Sequence, residues 1–421
     1  MTTPATIDYS RIIAAMMTTQ TQHVKTDITL IGGGIAGLWM LNRFCNLGYN
    51  AILLENNALG SQQTLASQGM IHGGVKYTLS GALNPSSEAI ADMPEYWARC
   101  LEGKGDVNLQ QTQVLSDEFY MWSNDSVRSK VTAFLASKAL RGRIEKLKRT
   151  RYPPVFQSAE FAGTVYRLVD KVLDTPSLVR NLFQNYQERV FRVDWQQDAL
   201  ESVDRQVRIK LNSHQRNSTI ESQRIIFCAG EGNNWLMQQI HAQAPKMQVR
   251  PLKQVMVKHR HPYKLQAHCV GKDSKPRLTL SSHLTAKGET VWYLGGELAE
   301  SGVGKSDEAL IQTAKQELST LFHWLDWSGA EWATLEVNRA EPLQKNSLRP
   351  DKAFVGKADS VDNVLVAWPT KLTLSPNLAN EVLSTLEATG IAPAHPFNPD
   401  ALGDWPRPAI AQTPWDKAFD A

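Results

Sequence analysis

The 421-residue sequence is long enough for two or three domains with a large hydrophobic core. Because 42% of the residues are hydrophobic, 21% are charged and the formal net charge is only +3, the composition excludes a disordered chain and gives no argument for a nucleic-acid or membrane partner. The four cysteines form no CxxC pair and no apolar run approaches the ~20 residues of a bilayer span, so we expect a cytoplasmic protein without a zinc site or a disulfide framework.

The first predicted elements lie in TDITLIGGGIAGLWMLNRFCNLGYNAILLEN, residues 26–56. DITLIG predicts a buried parallel strand, because it is short, apolar and rich in β-branched residues and ends at a glycine turn. A helix is predicted from about Ile35 to Leu47, where apolar residues recur at helical spacing before Gly48. NAILLEN then predicts a second buried strand that ends in Glu55.

Gly32, Gly34 and Gly37 form G-x-G-x-x-G between this strand and helix. The first glycine permits a tight turn, the second lets the backbone approach a pyrophosphate, and the third allows close packing of the helix on the strand. The helix N-terminus offers free N–H groups and a partial positive charge to that diphosphate. Glu55, 23 residues after Gly32, can bind a ribose 2′-hydroxyl and would repel a 2′-phosphate. The stretch therefore predicts an adenine dinucleotide, FAD or NAD rather than NADP.

Three later segments add to this pattern. LASQGMIHGGVKYTLSG (65–81) concentrates small residues and glycines, which let the backbone approach a flat ring closely. SQRIIFCAG (222–230) predicts an apolar strand that ends in Ala-Gly. DNVLVAWPTKLTLSPNLANEVLSTLEATG (362–390) predicts a strand, a short loop and a helix whose first residues are Ser-Pro.

One segment departs from the even charge distribution. Residues 125–151 contain nine Lys or Arg against two acids, and VTAFLASKAL within them predicts a helix. A solvated helical face is one interpretation. The alternatives are a weak contact with an anionic membrane, through which a dehydrogenase could reach a quinone, and a docking site for a polyanion such as RNA.

Histidines recur in the middle of the chain. KHRHPYKLQAH (258–268) places His259 and His261 on one face of a strand, as a metal site would require. Because His-Pro signals a turn and no acidic or cysteine partner is near, we expect a solvated hairpin end and no metal. LTLSSHLTAKGETVWYLGG (278–296) predicts a hairpin that turns at Lys-Gly.

From about residue 26 to 390 the chain resembles the D-amino-acid-oxidase-like (DAO) FAD-dependent oxidoreductases, near their glycerol-3-phosphate and L-2-hydroxyglutarate dehydrogenases. The resemblance rests on the dinucleotide motif and on SQGMIHGGVKY, VRPLKQVMV and VNRAEPLQ…LRPDKAFVG…NVLVAWPTKLTLSP. The last stretch departs from the family pattern, with Trp368, Pro369 and Lys371 where glycines are usual. The resemblance decides between the two dinucleotides and implies bound FAD.

The resemblance also implies a fold. We expect an α/β (α+β overall) protein with a Rossmann-like FAD-binding domain and a discontinuous antiparallel-sheet substrate domain. The predicted boundaries are 26–95, 160–245 and 345–392 for the FAD-binding domain, 96–159 and 246–344 for the substrate domain, 1–25 for an N-terminal extension and 393–421 for a tail without helix or strand.

The family relationship implies how FAD is held. The SQGMI segment should line the flavin ring, and the helix that begins at Ser375 could stabilise negative charge on the reduced ring. The residues expected to bind FAD are Gly32, Gly33, Gly34, Ile35, Ala36, Gly37, Glu55, Asn56, Thr64, Ser67, Gln68, Gly69, Met70, Ile71, Ala229, Gly230, Lys371, Leu372, Thr373 and Leu374.

The resemblance places His72 close to the flavin, although a lone histidine can also be structural. Oxidation of an alcohol by hydride transfer to flavin N5 needs a base for the hydroxyl proton, and an imidazole suits that role. A neutral amine needs no base, because its lone pair assists hydride departure. His72 as a catalytic residue therefore favours alcohol chemistry.

Further candidates for chemistry are implied by family positions. His283 resembles a histidine of the hydroxy-acid members, or it is an ordinary hairpin residue. Arg339 either clamps a substrate carboxylate through paired hydrogen bonds or forms an ion pair with Glu341. Lys371 could stabilise flavin N1 or meet an anionic substrate, and Tyr293 is a further candidate.

We therefore expect an FAD-dependent oxidoreductase, a dehydrogenase or an oxidase, that oxidises a small anionic substrate of the 2-hydroxy acid or glycerol phosphate type at a C–OH or C–NH carbon. Oxygen or a quinone would accept the electrons. The alternatives are an amino-acid or amine oxidase that releases hydrogen peroxide, a flavin-dependent RNA-modifying or RNA-binding protein, and a flavin protein without turnover.

Overall fold

The computed structural model describes residues 21–73, 90–123, 144–212, 217–270, 276–345, 350 and 352–419. These residues form helices and three sheets, which confirms the predicted mixed α/β fold class. The first sheet has eight strands and is parallel at its centre. The second has eight strands and is mainly antiparallel, and the third has three short strands.

Strands outnumber helices in the described residues. In chain order, the strands are β1 (Gln22–Ile31), β2 (Ala51–Glu55), β3 (Met70–Ile71), β4 (Val114–Ser116), β5 (Phe119–Ser123), β6 (Ile144–Lys146), β7 (Thr164–Leu168), β8 (Lys171–Leu173), β9 (Val190–Arg192), β10 (Ala199–Val203), β11 (Gln206–Asn212), β12 (Asn217–Phe227), β13 (Met247–Lys258), β14 (Ala267–Val270), β15 (Pro276–Leu284), β16 (Thr290–Gly295), β17 (Glu331–Pro342), β18 (Phe354–Lys357) and β19 (Val364–Trp368). The helices are α1 (Ile35–Asn46), α2 (Met93–Leu101), α3 (Thr175–Asn185), α4 (Asn233–Gln239), α5 (Glu297–Glu300), α6 (Asp307–Leu321), α7 (Ser375–Ala388) and α8 (Pro414–Phe419). No helix in the described ranges has both the length and the apolar character that crossing a bilayer requires.

The first sheet follows the order β10-β11-β12-β1-β2-β9, and β19 and β18 continue from the end of β12. The pairs β12–β1, β1–β2, β2–β9 and β12–β19 are parallel, so their carboxyl ends meet at one edge. Both faces are buried, because Leu30 and Leu53 pack into one apolar cluster and Ile31 and Leu54 into another. In open α/β sheets the carboxyl edge is where ligands bind.

The strand β1 begins five residues before the predicted DITLIG strand. Residues 22–26 pair in parallel with residues 218–222 of β12, and the Thr26 and Ser222 hydroxyls lie 2.8 Å apart. This pairing joins segments 196 residues apart, so the local sequence pattern carries no signal for it. Part of the predicted N-terminal extension therefore belongs to the sheet, and its first 20 residues lie outside the described ranges.

The second sheet follows the order β17-β13-β16-β15-β14-β5-β7-β6. Neighbouring strands are antiparallel except for β14 and β5. One face packs on α6 through a cluster that includes Trp122, Trp292 and Phe322. The strand β7 pairs here with β5 and β6, although residues 160–245 were expected in the FAD-binding domain. Its short apolar sequence TVYRL fits either sheet, so only its distant partners decide its place.

The tail from residue 393 is more ordered than predicted. Ile410 forms a bridge with Leu59, and residues 414–419 form the helix α8. The tail also carries two buried tryptophans, because the Trp405 ring donates to the Arg192 carbonyl and Trp415 packs on the second sheet. The prediction of a tail without helix or strand is therefore wrong, since burial of apolar rings orders a segment whose local pattern is weak.

His259 and His261 are not at a solvated hairpin end. The two rings stack with their centroids 3.4 Å apart, and the Trp292 and Trp327 rings pack edge-on against them. Burial lowers the pKa of His259 to about 3 and that of His261 to about 4. The expectation of solvated histidines was wrong because the surrounding tryptophans come from distant segments.

We expect the variant His259→Phe to be less sensitive to acid. The folded protein keeps this imidazole neutral, whereas the unfolded chain binds a proton below about pH 6.5. The folded state therefore loses stability as the pH falls from about 6.5 toward 3, by up to about 1.4 kcal/mol per pH unit. Urea unfolding at several pH values should show a slope in the variant that is smaller by this amount. Because slopes are compared, any pH-independent cost of repacking around residue 259 cancels. An unchanged slope would contradict the burial of a neutral His259.

Candidate active site

The glycines between β1 and α1 have different steric surroundings. A Cβ on Gly32, whose φ is +125°, would lie 2.6 Å from the Ala229 Cα, and one on Gly37 would lie 2.0 Å from the Gly32 carbonyl oxygen. Backbone fills both spaces, so only glycine is accepted there. Gly34 has an extended backbone with φ −81°, and its Cβ would meet only the Thr64 hydroxyl, at 3.2 Å. Packing alone therefore does not require glycine at position 34.

The helix α1 starts at the carboxyl edge of the first sheet. Its first turn contains no acidic residue, and the preceding Gly34 provides no side-chain cap. The Ile35 N–H donates to the Thr64 hydroxyl at 3.0 Å, and Ala36 lies buried in the same turn. An open helix N-terminus carries roughly half a positive charge and suits a phosphate group.

Glu55 lies at the end of β2, beside the glycine loop. Its carboxylate accepts hydrogen bonds from the Gly33 N–H and from the Asn57 N–H. Burial raises the pKa of Glu55, and these backbone donors oppose the shift. The exposed Asn56 follows directly. A carboxylate fixed at this point is a suitable acceptor for ribose hydroxyls, as the sequence predicts.

The Ala229-Gly230 turn follows β12 at the same edge. Asn233 is fully buried, accepts a hydrogen bond from the Ala229 N–H at 2.8 Å and donates to the Ala367 carbonyl at 3.3 Å. The Trp368 ring donates to the Gly230 carbonyl at 3.1 Å. These two side chains lock the ends of β12 and β19 together. Sequence reasoning missed Asn233, because no local pattern distinguishes it from a surface helix residue.

Residues 65–73 contain β3, a strand of the third sheet, whose order is β3-β8-β4. A Cβ on Gly69, whose φ is +71°, would lie 2.1 Å from the Leu173 carbonyl oxygen, so β8 requires glycine there. The Leu173 N–H donates to the Gly69 carbonyl at 2.9 Å. The sequence predicts that the backbone of this segment is approached closely at its glycines. At Gly69 the group that approaches is the backbone of β8.

Two side chains tie this segment to the second sheet. The Gln68 amide donates to the Tyr293 carbonyl at 2.8 Å. The Tyr293 hydroxyl lies 3.0 Å from the Ala66 carbonyl and 2.7 Å from Gln254 Oε1. Burial raises the pKa of Tyr293 above its usual range, so the hydroxyl stays protonated and acts as a donor. Tyr293, a candidate from the sequence, therefore links β16 of the second sheet to the segment that precedes β3. Sequence reasoning missed its partner Gln254.

The segment also contacts the 3₁₀ turn Leu372–Leu374 that follows β19. The His72 N–H donates to the Thr373 hydroxyl at 3.4 Å, and this hydroxyl donates to the Met70 carbonyl at 3.2 Å. On the other side, the Trp97 ring of α2 donates to the Thr373 carbonyl at 3.0 Å. The structure thus brings His72, Met70 and Ile71 against the turn that Lys371 precedes.

One residue of the loop between β19 and α7 has a backbone conformation that is usual for glycine. Thr370 has φ +61°, a left-handed conformation that few residues other than glycine adopt. Its hydroxyl donates to the Lys352 carbonyl at 3.3 Å, which helps to hold it there. Such backbone strain is commonly found at functional sites. Trp368, Pro369 and Lys371, which stand where the family usually has glycines, therefore flank a strained backbone position.

Arg339 lies on β17, opposite Arg250 of β13. Its guanidinium donates to the Arg250 carbonyl at 3.0 Å and reaches the Pro251 carbonyl at 3.4 Å. Glu341 pairs with Arg250 instead, and it also accepts from Gln248 at 3.2 Å. The alternative of an Arg339–Glu341 ion pair is therefore wrong, because a nearer guanidinium occupies the carboxylate.

His283 lies on the face of the second sheet that α8 covers. Its ring stacks on Trp415 with centroids 4.2 Å apart, and its Nε2 lies 2.9 Å from the Ser281 hydroxyl. Burial lowers the pKa of His283 to about 3, so the imidazole is neutral. The contacts of this ring are thus with the C-terminal helix, and substrate contact stays a prediction.

Two further predictions concern the basic segment 125–151 and a metal site, and the described residues cover them only in part. Most of the basic segment 125–151 lies outside the described residues, and the part that is described holds Arg149 on backbone carbonyls and Arg151 on Glu145. Within the described ranges, no group of three or more His, Cys, Asp or Glu side chains is arranged to hold a metal ion.

The donor set fits FAD. The glycine loop follows β1, Glu55 ends β2 and the Ala229-Gly230 turn follows β12, so all three lie at the carboxyl edge of the parallel strands. The open position at Gly34 and the remaining N–H groups of the α1 N-terminus suit the diphosphate, and the carboxylate suits a ribose. The segment 65–73 and the turn after β19 continue from this edge to the second sheet, where a flavin ring would meet a substrate.

Comparison with known proteins agrees with this fit. Residues 27–379 match the family model of the DAO, FAD-dependent oxidoreductase family. The FAD-dependent oxidoreductase PA4991 of Pseudomonas aeruginosa is 42% identical over 401 residues, which cover 94% of this chain and 99% of the relative. Its crystal structure aligns with a TM-score of 0.81 at 38% identity, over 95% of this chain and all of that one.

More distant structures share the fold. Iminodiacetate oxidase from Chelativorans sp. BNC1 aligns with a TM-score of 0.62 at 14% identity, over 91% of this chain and all of that one. The L-α-glycerophosphate oxidase of Mycoplasma pneumoniae with FAD bound aligns with a TM-score of 0.60 at 13% identity, over 86% of this chain and 95% of that one. The matched length and the identity to PA4991 show that the chain is an FAD-dependent oxidoreductase and belongs to the DAO family.

Proposed function

We propose that this enzyme oxidises a small anionic substrate at a C–OH carbon, of the 2-hydroxy acid or glycerol phosphate type. The observation that supports this most directly is the position of His72, whose backbone is bonded to Thr373 at the junction of β3, the turn after β19 and the second sheet. A histidine at this junction can serve as the base that an alcohol needs. The glycerophosphate oxidase that shares the fold is named for such a substrate.

Bound FAD supplies a two-electron acceptor whose N5 takes a hydride. The substrate carbon would lose its hydrogen with both bonding electrons to that acceptor, and the hydroxyl would lose its proton to the His72 imidazole, leaving a carbonyl. His72 is buried, with 7% of its surface exposed, so water competes little for this proton. The role of the chain is thus to hold the base and the substrate against the ring.

The charge of the substrate would be met by Lys371 and Arg339. Lys371 directly precedes the turn that contacts His72 and is half-buried. Arg339 donates to two backbone carbonyls, and a guanidinium is the cation whose geometry best suits a carboxylate or a phosphate. Both assignments are proposals, as are the electron acceptor, oxygen or a quinone, and the cytoplasmic location.

Oxidation of an amine is the second candidate function. Iminodiacetate oxidase shares the fold and is named for an amine substrate that carries carboxylates. An amino acid would use the same cations and the same flavin but would need no base. The two candidates therefore differ in what they require of His72.

We expect an anaerobic screen to separate these functions. A 2-hydroxy acid or a glycerol phosphate should bleach the visible absorption of the bound flavin, because hydride transfer reduces it. The matched controls are the corresponding deoxy compounds, which lack the hydroxyl and should leave the flavin oxidised. Bleaching by amino acids or secondary amines alone would support the second candidate, and no bleaching by any compound would contradict both.

A further inference from the structure

An acidic residue lies beside His72 at the end of the third sheet. β3 and β8 are antiparallel, with Met70 paired to Val172 and Ile71 paired to Lys171. His72 follows the end of β3 and Asp170 precedes the start of β8, so both lie just beyond this pairing. The Gly73 N–H donates to the Asp170 carboxylate there, which places the carboxylate beside the backbone of residues 72 and 73.

Both of these side chains are buried. His72 is 7% exposed and Asp170 is 4% exposed. The Asp170 Oδ1 accepts a hydrogen bond from the Gly73 N–H at 2.9 Å, so its carboxylate is turned toward the strand that carries His72. A carboxylate removed from water is retained only where donors or cations compensate it. Asp170 was not among the residues that the sequence indicated.

We propose that Asp170 is the positioning residue for His72, acting on the base through its negative charge and its contact with residue 73. This inference rests on the proposed function of His72. A base that accepts a proton becomes an imidazolium, and a neighbouring carboxylate stabilises that cation. Such support benefits the oxidation of a hydroxyl group and is of no use to a neutral amine, so the pair favours an alcohol substrate.

None of the other described charged groups around β3 is a buried carboxylate. Lys171 is paired with the exposed Asp117, and Lys371 precedes the turn that contacts His72. α2 faces this region through the buried Met93 and Trp97, whereas its Glu95 and Arg99 are exposed. Among the described residues packed against β3, Asp170 is therefore the buried negative charge.

The test uses the FAD-loaded protein with isotope-labelled histidine rings, followed by NMR as the pH is changed. The signal of His72 is identified by its loss in His72→Gln. The key variant is Asp170→Asn, because an amide oxygen can still accept from the Gly73 N–H while the charge is removed. Asp170→Glu restores the charge, and Asp117→Asn is the matched control for an exposed aspartate in the same region.

In Asp170→Asn the His72 titration should move to lower pH by about one unit or more, because an opposite charge within about 4–6 Å favours the protonated ring by this much. Asp170→Glu should recover most of the shift, and Asp117→Asn should behave as the wild type. An unchanged His72 titration in Asp170→Asn, with flavin retained, would overturn the inference. The same holds if Asp117→Asn shifts the titration as far as Asp170→Asn does.

Flavin reduction separates this inference from the proposed function. With a substrate found in the anaerobic screen, Asp170→Asn should reduce its flavin roughly 10- to 100-fold more slowly with little change in substrate affinity, a smaller loss than removal of the base itself. If no hydroxyl compound reduces the wild-type flavin, the proposed function fails, whereas the NMR titration still decides whether Asp170 acts on His72. Normal reduction by Asp170→Asn together with a normal titration would refute the inference alone.

Discussion

Gly34→Val should greatly weaken FAD binding and leave the fold intact. The backbone of Gly34 is extended, as a β-branched residue prefers, and a Cβ there would meet only the Thr64 hydroxyl at 3.2 Å. The added methyl groups would instead occupy the space in front of the α1 N-terminus. That space is where the diphosphate of FAD is expected.

The expected effect is large. Displacing the diphosphate would remove at least two hydrogen bonds between backbone N–H groups and charged oxygens, at about 1.5–3 kcal/mol each. The dissociation constant of FAD should therefore rise by roughly 100-fold or more. The flavin-to-protein ratio after purification and a titration of the flavin-free protein with FAD measure this. Circular dichroism should show unchanged secondary structure.

Two further glycines serve as comparisons. Gly329 lies exposed in the turn before β17, and its Cβ would meet only Arg260, at 3.8 Å, so Gly329→Val should retain stoichiometric FAD. Gly37→Ala should instead fail to fold stably, because its Cβ would lie 2.0 Å from a backbone oxygen. Stoichiometric flavin in Gly34→Val would show that residue 34 does not face the cofactor.

Local pattern was sufficient for the elements around the glycine loop. A buried strand, a glycine turn, a helix and a second strand ending in an acid follow one another within 31 residues, and each has its own signal. The roles of Gly32 and Gly37 follow from these neighbours, and the structure shows the backbone contacts that require them. Contacts within one βαβ unit are thus readable from sequence.

Contacts between distant segments were not readable. The start of β1 depends on residues 218–222, and the burial of His259 depends on tryptophans more than 30 residues away. The tail is ordered by Trp405 and Trp415, which pack on different sheets. In each case the residues that bury a segment are far from it in the sequence, so its local pattern does not indicate them.

The same limit applies to the site. The junction at Thr373 joins residues about 300 positions apart, and the family resemblance alone suggested that they meet. Asn233 and Asp170 were missed because each is a common polar residue whose significance lies in burial. Conversely, Arg339 and His283 have family positions, yet their surroundings are backbone carbonyls and a tryptophan ring.

Replacing His72 with glutamine should slow flavin reduction by about 10²- to 10⁴-fold, the usual effect of losing a general base. FAD affinity should change little, because the contact of residue 72 with Thr373 is made by its backbone N–H. His323→Gln is the matched control, since His323 is half-exposed and pairs with Glu160 on the surface. Stopped-flow measurement of flavin reduction under anaerobic conditions gives the rates.

The dependence on pH identifies the chemistry. A neutral imidazole accepts a proton and an imidazolium does not, so the wild-type rate should rise with pH through one ionisation, and this rise should be absent in His72→Gln. If the substrate is an amine, the reactive form is the neutral amine, so the variant should keep both the rise and most of the rate. Equal rates with an alcohol substrate in the two proteins would remove His72 from the chemistry. One substitution therefore distinguishes a base-assisted alcohol oxidation from an amine oxidation on the same flavin scaffold.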